Sequence, residues 1–175
     1  MDTLSHLISE IPEFSTIDEN HKEGITALAE LGDHGAGVVL FEEGRIGPGV
    51  IIIVAGQIDL IQKPNNSPPV HLETYYNGAV IGLESIQDPP LPSHSEARTG
   101  PEGAVVQLIS RQALEAYFQN NPDSLDQVGK SRSLNLLVDS LAIAPSLSNL
   151  PRSALLELAR QTEFRFDKIG SELIV

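Results

Sequence analysis

The stretch VIIIVAGQIDL, residues 50–60, decides the fold class of this chain. Its apolar run, Val50–Ala55, has the length of a strand and is far shorter than the roughly 18 apolar residues that cross a bilayer. Gly56 breaks the run, and Ile58–Ile61 resumes it. An apolar strand, a turn of small residues and a returning strand are typical of an antiparallel sheet.

Short β-prone segments separated by glycine and proline lie on both sides of this stretch. The predicted strands are Val38–Phe41, Val50–Val54, Ile58–Ile61, Val70–Tyr76, Ala79–Ile81 and Ala104–Ile109. Two proline-rich stretches, Lys63–Pro69 and Gln87–Ser95, are predicted to be loops. Strands of this length and spacing indicate an all-β roll, barrel or sandwich, and this unit is called the roll below.

Helical patterns flank the predicted roll, so the fold class is mainly β with N-terminal and C-terminal helices (α+β). Before the roll, apolar residues recur at helical spacing as far as Pro12: Leu4, Leu7, Ile8 and Ile11. Asp18 is the predicted N-cap of a second helix, which carries Ile25, Leu28, Ala29 and Leu31. After the roll, Ser110 is the predicted cap of a helix that ends at Pro122 and carries Leu114, Tyr117 and Phe118.

A last helix is predicted over residues 124–143, and one of its faces is apolar. That face carries Leu134, Leu137, Val138 and Leu141. An apolar stripe on a long helix must be covered by another element. Two coverings are open at this point: the chain's own β-roll, or a second copy of the chain.

The composition is that of a globular protein with an acidic surface. The chain is 41% hydrophobic and 20% charged, with a formal net charge of −13, so its surface repels nucleic acid and anionic lipid. Cysteine is absent, which excludes disulfides, iron–sulfur clusters and zinc–thiolate sites and favours a cytoplasmic location. The five histidines lack a paired ligand spacing, so we predict no metal site and no cofactor.

The end of the chain repeats features of its beginning. Leu150-Pro151 precedes a helical run, Ser153–Gln161, and then a glycine turn and an apolar segment within residues 166–175. Near the start, Ile11-Pro12 precedes a helical run and a glycine turn in the same order. A repeated unit explains this order. We therefore predict a roll with its N-terminal helices over residues 1–122, a connecting helix over 123–143, and the truncated start of a second copy over 144–175.

The order of these features resembles the cyclic-nucleotide-binding domain superfamily, which includes catabolite-activator-type regulators and kinase regulatory subunits. The resemblance covers roughly residues 4–143 and rests on a glycine framework: Gly37, the FxxG of Phe41–Gly44, the stretch 50–60, and the GAVIG of Gly78–Gly82. The last piece resembles the glycine-framed entry to the family's phosphate-binding cassette. The resemblance implies an antiparallel, jelly-roll-like β-roll with a sensory role, and the helices of residues 110–143 would transmit any change in it.

The cassette departs from the family's pattern in two places. In nucleotide-binding members a Glu directly after the second glycine binds the ribose, and an Arg some ten residues later pairs with the cyclic phosphate. Here Leu83 stands at the Glu position, with an acid displaced to Glu84, and no Lys or Arg occurs from Leu83 to Ala97. The Arg position falls near Leu91 or near His94, depending on the anchor used for alignment. Loss of that charged partner lowers phosphate affinity by about one to two decades. The predicted residues of the altered cassette are Gly82, Leu83, Glu84, Ser85 and His94.

Glu84 and His94 each have two interpretations at this stage. Glu84 contacts a ligand, or it neutralises the amides of the short helix that follows Gly82. His94 supplies a pH-dependent cation to the pocket, or it is a solvated loop residue.

The sequence thus favours a regulatory or sensory domain of a larger protein that does not bind cAMP or cGMP in the usual way. The alternative is a dimerisation or protein-docking module without a small-molecule ligand. The predicted partners are a small-molecule or nucleotide ligand, a second copy of the chain, or a downstream effector domain, and not nucleic acid or a membrane. No Ser/His/Asp or paired-carboxylate constellation is discernible, so we predict that the chain is not an enzyme.

Overall fold

The computed structural model describes residues 6, 8, 9, 11, 14, 17–64, 67–87, 89–147 and 149–161. The helices whose bounds lie within the described residues are α1 (Glu19–Thr26), α2 (Arg111–Asn120), α3 (Pro122–Ala142) and α4 (Arg152–Arg160), with a short 3₁₀ helix at Leu83–Ile86. The strands are β1 (Glu30–His34), β2 (Val39–Phe41), β3 (Gly49–Gln62), β4 (Val70–Tyr76), β5 (Val80–Ile81) and β6 (Glu96–Ser110). An antiparallel β-roll with helices on both flanks is thereby confirmed.

The two longest strands, β3 and β6, pair along their whole length and organise the roll. Strands β1 and β2 pair with β6, while β4 and β5 pair with β3, and every pairing is antiparallel. The first part of β3, residues 49–53, lies opposite residues 106–110 of β6. The last part of β3, residues 58–61, lies opposite residues 96–99. Each long strand therefore belongs to both halves of the roll.

The two strands predicted on either side of Gly56 are one bent strand. The register of β3 against β6 shifts between Ile53 and Ala55 and again between Gly56 and Ile58. Gly56 has φ +81°, and a Cβ at this position would overlap the carbonyl oxygen of Gly103 on β6. Bulges around a left-handed glycine bend the strand strongly without reversing it.

The first half of β3 is buried on both of its faces. Val50 and Ile52 pack against the helices, whereas Ile51 and Ile53 point into the roll. This double burial explains why the run is continuously apolar rather than alternating. The helix-side core consists of Ile8, Ile11, Phe14, Ile17, Ile25, Val50, Ile52, Ile109, Leu114 and Val128. The roll core consists of Phe41, Ile51, Ile53, Ile58, Ile81, Ala97, Ala104 and Val106.

The helix predicted at the N-terminus is confirmed at the described residues His6, Ile8 and Ser9, which are α-helical. Leu4 and Leu7 lie outside the residues that the structure describes. Among the described residues of this segment, those that are buried and apolar are Ile8, Ile11, Phe14 and Ile17. Each of the last three donates its amide to the carbonyl three residues earlier. Hydrogen bonds that span three residues are typical of tight 3₁₀-type turns.

The helix that precedes the roll is shorter than the sequence predicted. Asp18 caps α1 as predicted, because its Oδ1 accepts from the amide of His21 at 3.0 Å. The helix nevertheless ends at Thr26, and Leu31 lies in β1 with 69% of its surface exposed. Residues 30–34 lack alternating apolar residues, and their strand conformation follows from pairing with residues 104–108 of β6.

Strand β6 begins at Glu96 rather than at the predicted Ala104. Gly100, Pro101 and Gly103 give its middle the composition of a loop, but these residues lie opposite the bend in β3. A bent partner requires residues that permit close backbone approach and irregular pairing. The glycines therefore belong to the strand, and the predicted boundary was wrong.

The apolar stripe of α3 is covered by α4 of the same chain. Val138 is buried together with Leu155 and Ala159 of α4. The partly buried residues around them are Leu134, Leu137, Leu141, Ala142, Leu147 and Leu156. Arg152, at the start of α4, also donates from Nη1 to Oδ1 of Asp139 at 2.7 Å. Neither of the two coverings considered from the sequence is the one observed.

The C-terminal part of the chain is described only as far as residue 161. Helix α4, predicted at Ser153–Gln161, is observed at Arg152–Arg160. The apolar segment predicted after it lies within residues 166–175, outside the described part of the chain, so a second copy beginning near residue 144 stays a prediction. Between residues 6 and 161, as far as they are described, no helix is long and apolar enough to cross a membrane.

Candidate ligand pocket

Gly82 sets the position of the short 3₁₀ helix after β5. It has φ +81°, and a Cβ there would overlap the carbonyl oxygen of Gly49 at the start of β3. Only glycine fits both conditions without strain. Ser85 is fully buried, and its hydroxyl donates to the carbonyl of Gly82 at 2.6 Å. The Ser85 hydroxyl is therefore engaged in holding the helix on its glycine.

The loop after the short helix is fixed by main-chain hydrogen bonds. The amide of Leu91 donates to the carbonyl of Glu84 at 2.9 Å. Ser93 exchanges two bonds with the turn after β2: its amide donates to the carbonyl of Arg45, and its carbonyl accepts from the amide of Gly44, both at 2.8 Å. These bonds bring the end of the loop back to the mouth of the roll, where β6 begins.

A cavity of about 170 Å³ lies inside the roll beside the short helix, and we call it the roll pocket. It is lined by Phe41, Leu60, Tyr75, Val80, Ile81, Gly82, Leu83, Glu84 and Ser95. Three of these residues have polar side chains. The hydroxyl of Tyr75 donates to Glu73 at 2.7 Å, and this bond raises the pKa of Tyr75. Glu84 and Ser95 are the two remaining polar side chains in the lining.

Neither Glu84 nor Ser95 has a side-chain partner among the residues that the structure describes. The carboxylate of Glu84 is half-buried and takes part in no ion pair there. Ser95 is 6% exposed, and its hydroxyl makes no hydrogen bond to another described residue. A buried hydroxyl without a partner is uncommon in folded proteins and calls for an explanation.

The predicted cassette residues are divided by the short helix. Gly82, Leu83 and Glu84 line the roll pocket. Ser85 instead lines a second cavity on the other side of the short helix. His94 is exposed and does not line the roll pocket, and the described residues that line this pocket include no lysine, arginine or histidine.

Ser95 is the pocket residue that the sequence analysis missed. Ala97 lies in the roll core, and alternation along β6 places the residue two positions earlier on the same side of the strand. This signal was hidden because the strand was predicted to begin at Ala104. Phe41 and Leu60 were assigned to strands, but the sequence does not show that both meet at the mouth of the roll.

An ion cluster lies on the outer side of the same strand and consists of Lys63, Glu96 and Arg98; we call it the outer ion cluster. Glu96 is 3% exposed, and its carboxylate contacts the Lys63 ammonium and accepts from Nη2 of Arg98 at 2.6 Å. Burial by itself would raise the pKa of Glu96, but the hydrogen bonds and charges of Lys63 and Arg98 outweigh burial and lower it. Arg98, the cation nearest to the cassette in sequence, is thus held away from the roll pocket.

The second cavity, of about 300 Å³, separates the short helix from α2 and α3. Ser85 and Ile86 line it from the short helix, and Leu114, Phe118 and Val128 line it from the two long helices. One face of the short helix therefore borders the roll pocket and the other borders the helical layer. Over the described ranges, no group of three His, Cys, Asp or Glu residues is placed to hold a metal ion.

No protein-family model and no curated protein matches this sequence. Solved structures do match its fold. The N-terminal domain of a transcriptional regulator from Streptomyces coelicolor A3(2) superposes with a TM-score of 0.63 at 18% identity, over 78% of this chain and 93% of that one. The regulatory domain of Toxoplasma gondii PKA with cAMP superposes with a TM-score of 0.64 at 14% identity, over 90% of this chain and 56% of that one.

The chain has the fold of the cyclic-nucleotide-binding domains. The regulatory subunit of a cAMP-independent protein kinase A from Trypanosoma brucei also matches, with a TM-score of 0.51 at 17% identity, over 71% of this chain and 45% of that one. This chain spans about half the length of the two kinase structures. The same fold thus occurs in one neighbour that was solved with cAMP and in another that belongs to a cAMP-independent kinase, and both neighbours are regulatory parts of a protein kinase.

Proposed function

We propose that this chain is a regulatory domain of the cyclic-nucleotide-binding fold whose roll pocket does not hold cAMP or cGMP in the usual way. The observation that carries the proposal is the charge of the pocket lining, which includes the carboxylate of Glu84 and no cationic side chain. A cyclic phosphate carries one negative charge, and proteins hold such a charge with guanidinium groups and amide donors. In this pocket a phosphate would meet a carboxylate instead.

Two neighbouring cations do not compensate for this charge. Arg98 is bound to Glu96 on the outer side of β6, and moving it would leave the buried carboxylate of Glu96 with one cation fewer. Arg45 is 79% exposed in its side chain and faces Glu42 at 4.0 Å. The acidic surface of the whole chain repels anionic ligands as well.

Titration of the full chain with cAMP, followed by calorimetry, tests this proposal. We expect no binding of the wild type at millimolar cAMP. The double variant Leu83→Glu with His94→Arg places a Glu at the family's ribose position and an Arg at one of the two positions to which the family's Arg aligns, and should gain at least about tenfold in affinity. Gln112→Arg, on the exposed face of α2, adds the same charge elsewhere and should gain nothing. Micromolar binding of cAMP by the wild type would overturn the proposal.

The short helix is the element through which the roll pocket would act on the rest of the chain. It borders the pocket with Leu83 and Glu84 and the second cavity with Ser85 and Ile86. The amide of Arg111 donates to the carbonyl of Pro48 at 2.8 Å and ties the start of α2 to the roll. A shift of the short helix would therefore repack α2 and α3, and we propose that a downstream effector domain receives this change.

The alternative function, a dimerisation or protein-docking module, was suggested by the apolar stripe of α3, and this stripe is covered within the chain. The apolar stripe of α3 packs on α4, so Leu137→Glu should now separate two helices of one chain rather than dissolve a dimer. We keep three further proposals that rest on the sequence: no enzymatic activity, a cytoplasmic location, and a second copy of the roll beginning near residue 144. Each follows from residue patterns described above.

A further inference from the structure

We propose that the roll pocket binds a small primary amine with an apolar body, whose ammonium group is held by the Glu84 carboxylate and the Ser95 hydroxyl. The inference rests on the proposed function, since it assigns a ligand class to the pocket that is proposed to have lost its anion. It reverses the sign of the ligand that this pocket holds in nucleotide-binding relatives.

The first support is the buried hydroxyl of Ser95. Ser95 is 6% exposed, and its hydroxyl is bonded to no other described residue, so on folding the hydroxyl loses water without gaining a described partner. Because Ser95 lines the pocket, a bound ligand can donate a hydrogen bond to its hydroxyl. Ser85, on the short helix, shows the contrast: it is just as buried, but its hydroxyl is already bonded to Gly82.

The second support is the carboxylate of Glu84. It shares the small cavity with Ser95, it is half-buried, and it has no cationic partner among the described residues. A carboxylate accepts hydrogen bonds only, so a ligand that satisfies it must donate. A hydrogen bond between charged groups is also stronger than one between neutral groups. An ammonium group matches both Glu84 and Ser95, because its three protons suit two acceptors.

The third support is the size and apolar character of the remaining walls. Phe41, Leu60, Val80, Ile81 and Leu83 surround the two polar groups. A cavity of about 170 Å³ is close to the roughly 150 Å³ cavity that holds benzene in an engineered protein core. The body of the ligand should therefore be a single ring or a branched alkyl group, and the rings of Phe41 and Tyr75 would favour a cation nearby.

Three probes that share a ring and differ in charge test the inference on the full chain: benzylamine, benzyl alcohol and benzoate. We expect benzylamine to bind with a dissociation constant on the order of 1 mM, as befits so small a ligand. Benzyl alcohol should bind at least about fivefold more weakly, and benzoate should not bind. Amide shifts of Leu83, Glu84 and Ser95 in two-dimensional NMR locate the site and measure the affinity.

Variants separate the pocket from the general acidity of the chain. Glu84→Gln should weaken benzylamine binding about tenfold or more, and Ser95→Ala about threefold or more. Glu102→Gln removes the same charge at an exposed position of β6 and should leave benzylamine binding unchanged. Glu84→Lys should lose benzylamine and gain benzoate, a reversal that loss of folding cannot produce.

The outcomes distinguish this inference from the function on which it rests. Equal affinity for benzylamine and benzyl alcohol, preference for benzoate, binding unchanged in Glu84→Gln, or no binding of any probe would each overturn the amine assignment. The proposed function stands in those cases as long as cAMP does not bind. Micromolar binding of cAMP by the wild type would overturn both.

Discussion

Two carboxylates lie near the start of β6 and have opposite surroundings. Glu96, in the outer ion cluster, is almost fully buried and contacts Lys63 and Arg98. Glu84, in the roll pocket, is half-buried and has no cation beside it among the described residues. Burial of an ion is tolerated only when partners replace its water. The positive charge available in this region is therefore bound on the outer side of the strand, and the pocket side stays acidic.

The largest loss of unfolding free energy should follow from removal of Glu96 from the outer ion cluster. Glu96→Ala leaves the Lys63 ammonium and the Arg98 guanidinium without their shared acceptor. Removing one partner of a buried pair costs about 3–5 kcal/mol, but the side chains of Lys63 and Arg98 are 49% and 38% exposed, so we expect about 1–3 kcal/mol. Urea unfolding of the two proteins at neutral pH measures the difference. Glu102→Ala, which is exposed, is the control, and an equal loss in both variants would argue against the comparison.

Acid should remove the same stabilisation in the wild type. The pKa of Glu96 is lowered in the folded chain, so its contribution is complete above the unfolded pKa of about 4.3 and disappears as the pH falls through the folded pKa. The difference in unfolding free energy between wild type and Glu96→Gln should thus be largest near neutral pH. It should shrink steadily below about pH 4. A difference that grows on acidification would show that the two cations do not stabilise the ionised form.

Cross-strand register explains why the sequence did not predict the outer ion cluster. The absence of Lys and Arg from Leu83 to Ala97 was visible, and the structure agrees that no cation lines the pocket. Lys63, however, lies 33 residues before Glu96, and the two meet only because Ile61 pairs with Glu96 across β3 and β6. Such pairing depends on the bulges around Gly56, which local patterns do not locate.

The same limit applies to whole elements of the fold. The apolar run of β3 was predictable because burial on both faces leaves a continuous pattern. Strand β1 was not, because residues 30–34 become a strand through β6 and carry no pattern of their own. The stripe on α3 was recognised, but its partner α4 is a short helix that could equally have packed elsewhere. Periodicity predicts that a face is covered and not by what.

Substitution of the buried serines Ser85 and Ser95 should have smaller effects on the unfolding free energy, and only the first should lower it. Ser85→Ala removes a hydroxyl that donates to Gly82 and should destabilise the chain by about 1 kcal/mol. Ser95→Ala removes a hydroxyl without a partner among the described residues, so the stability should stay the same or rise by up to about 1 kcal/mol. Thermal unfolding of both variants in parallel measures the pair. Destabilisation by Ser95→Ala as large as that by Ser85→Ala would mean that the Ser95 hydroxyl already has a partner.

Substitution of Glu84 should have the smallest effect on the stability of the free chain, and its effect should appear only when benzylamine is present. Without ligand, Glu84→Gln should change the unfolding free energy by less than about 0.5 kcal/mol, because no cation loses its partner. A ligand that binds only the folded chain raises the unfolding temperature, and at a given ligand concentration the rise is larger when the dissociation constant is smaller. Saturating benzylamine should therefore raise the unfolding temperature of the wild type and of Glu102→Gln equally, and that of Glu84→Gln by clearly less. If Glu84→Gln alone destabilised the free chain as strongly as Glu96→Ala, the carboxylate would have a structural partner, and the contrast between the two sides of β6 would be lost.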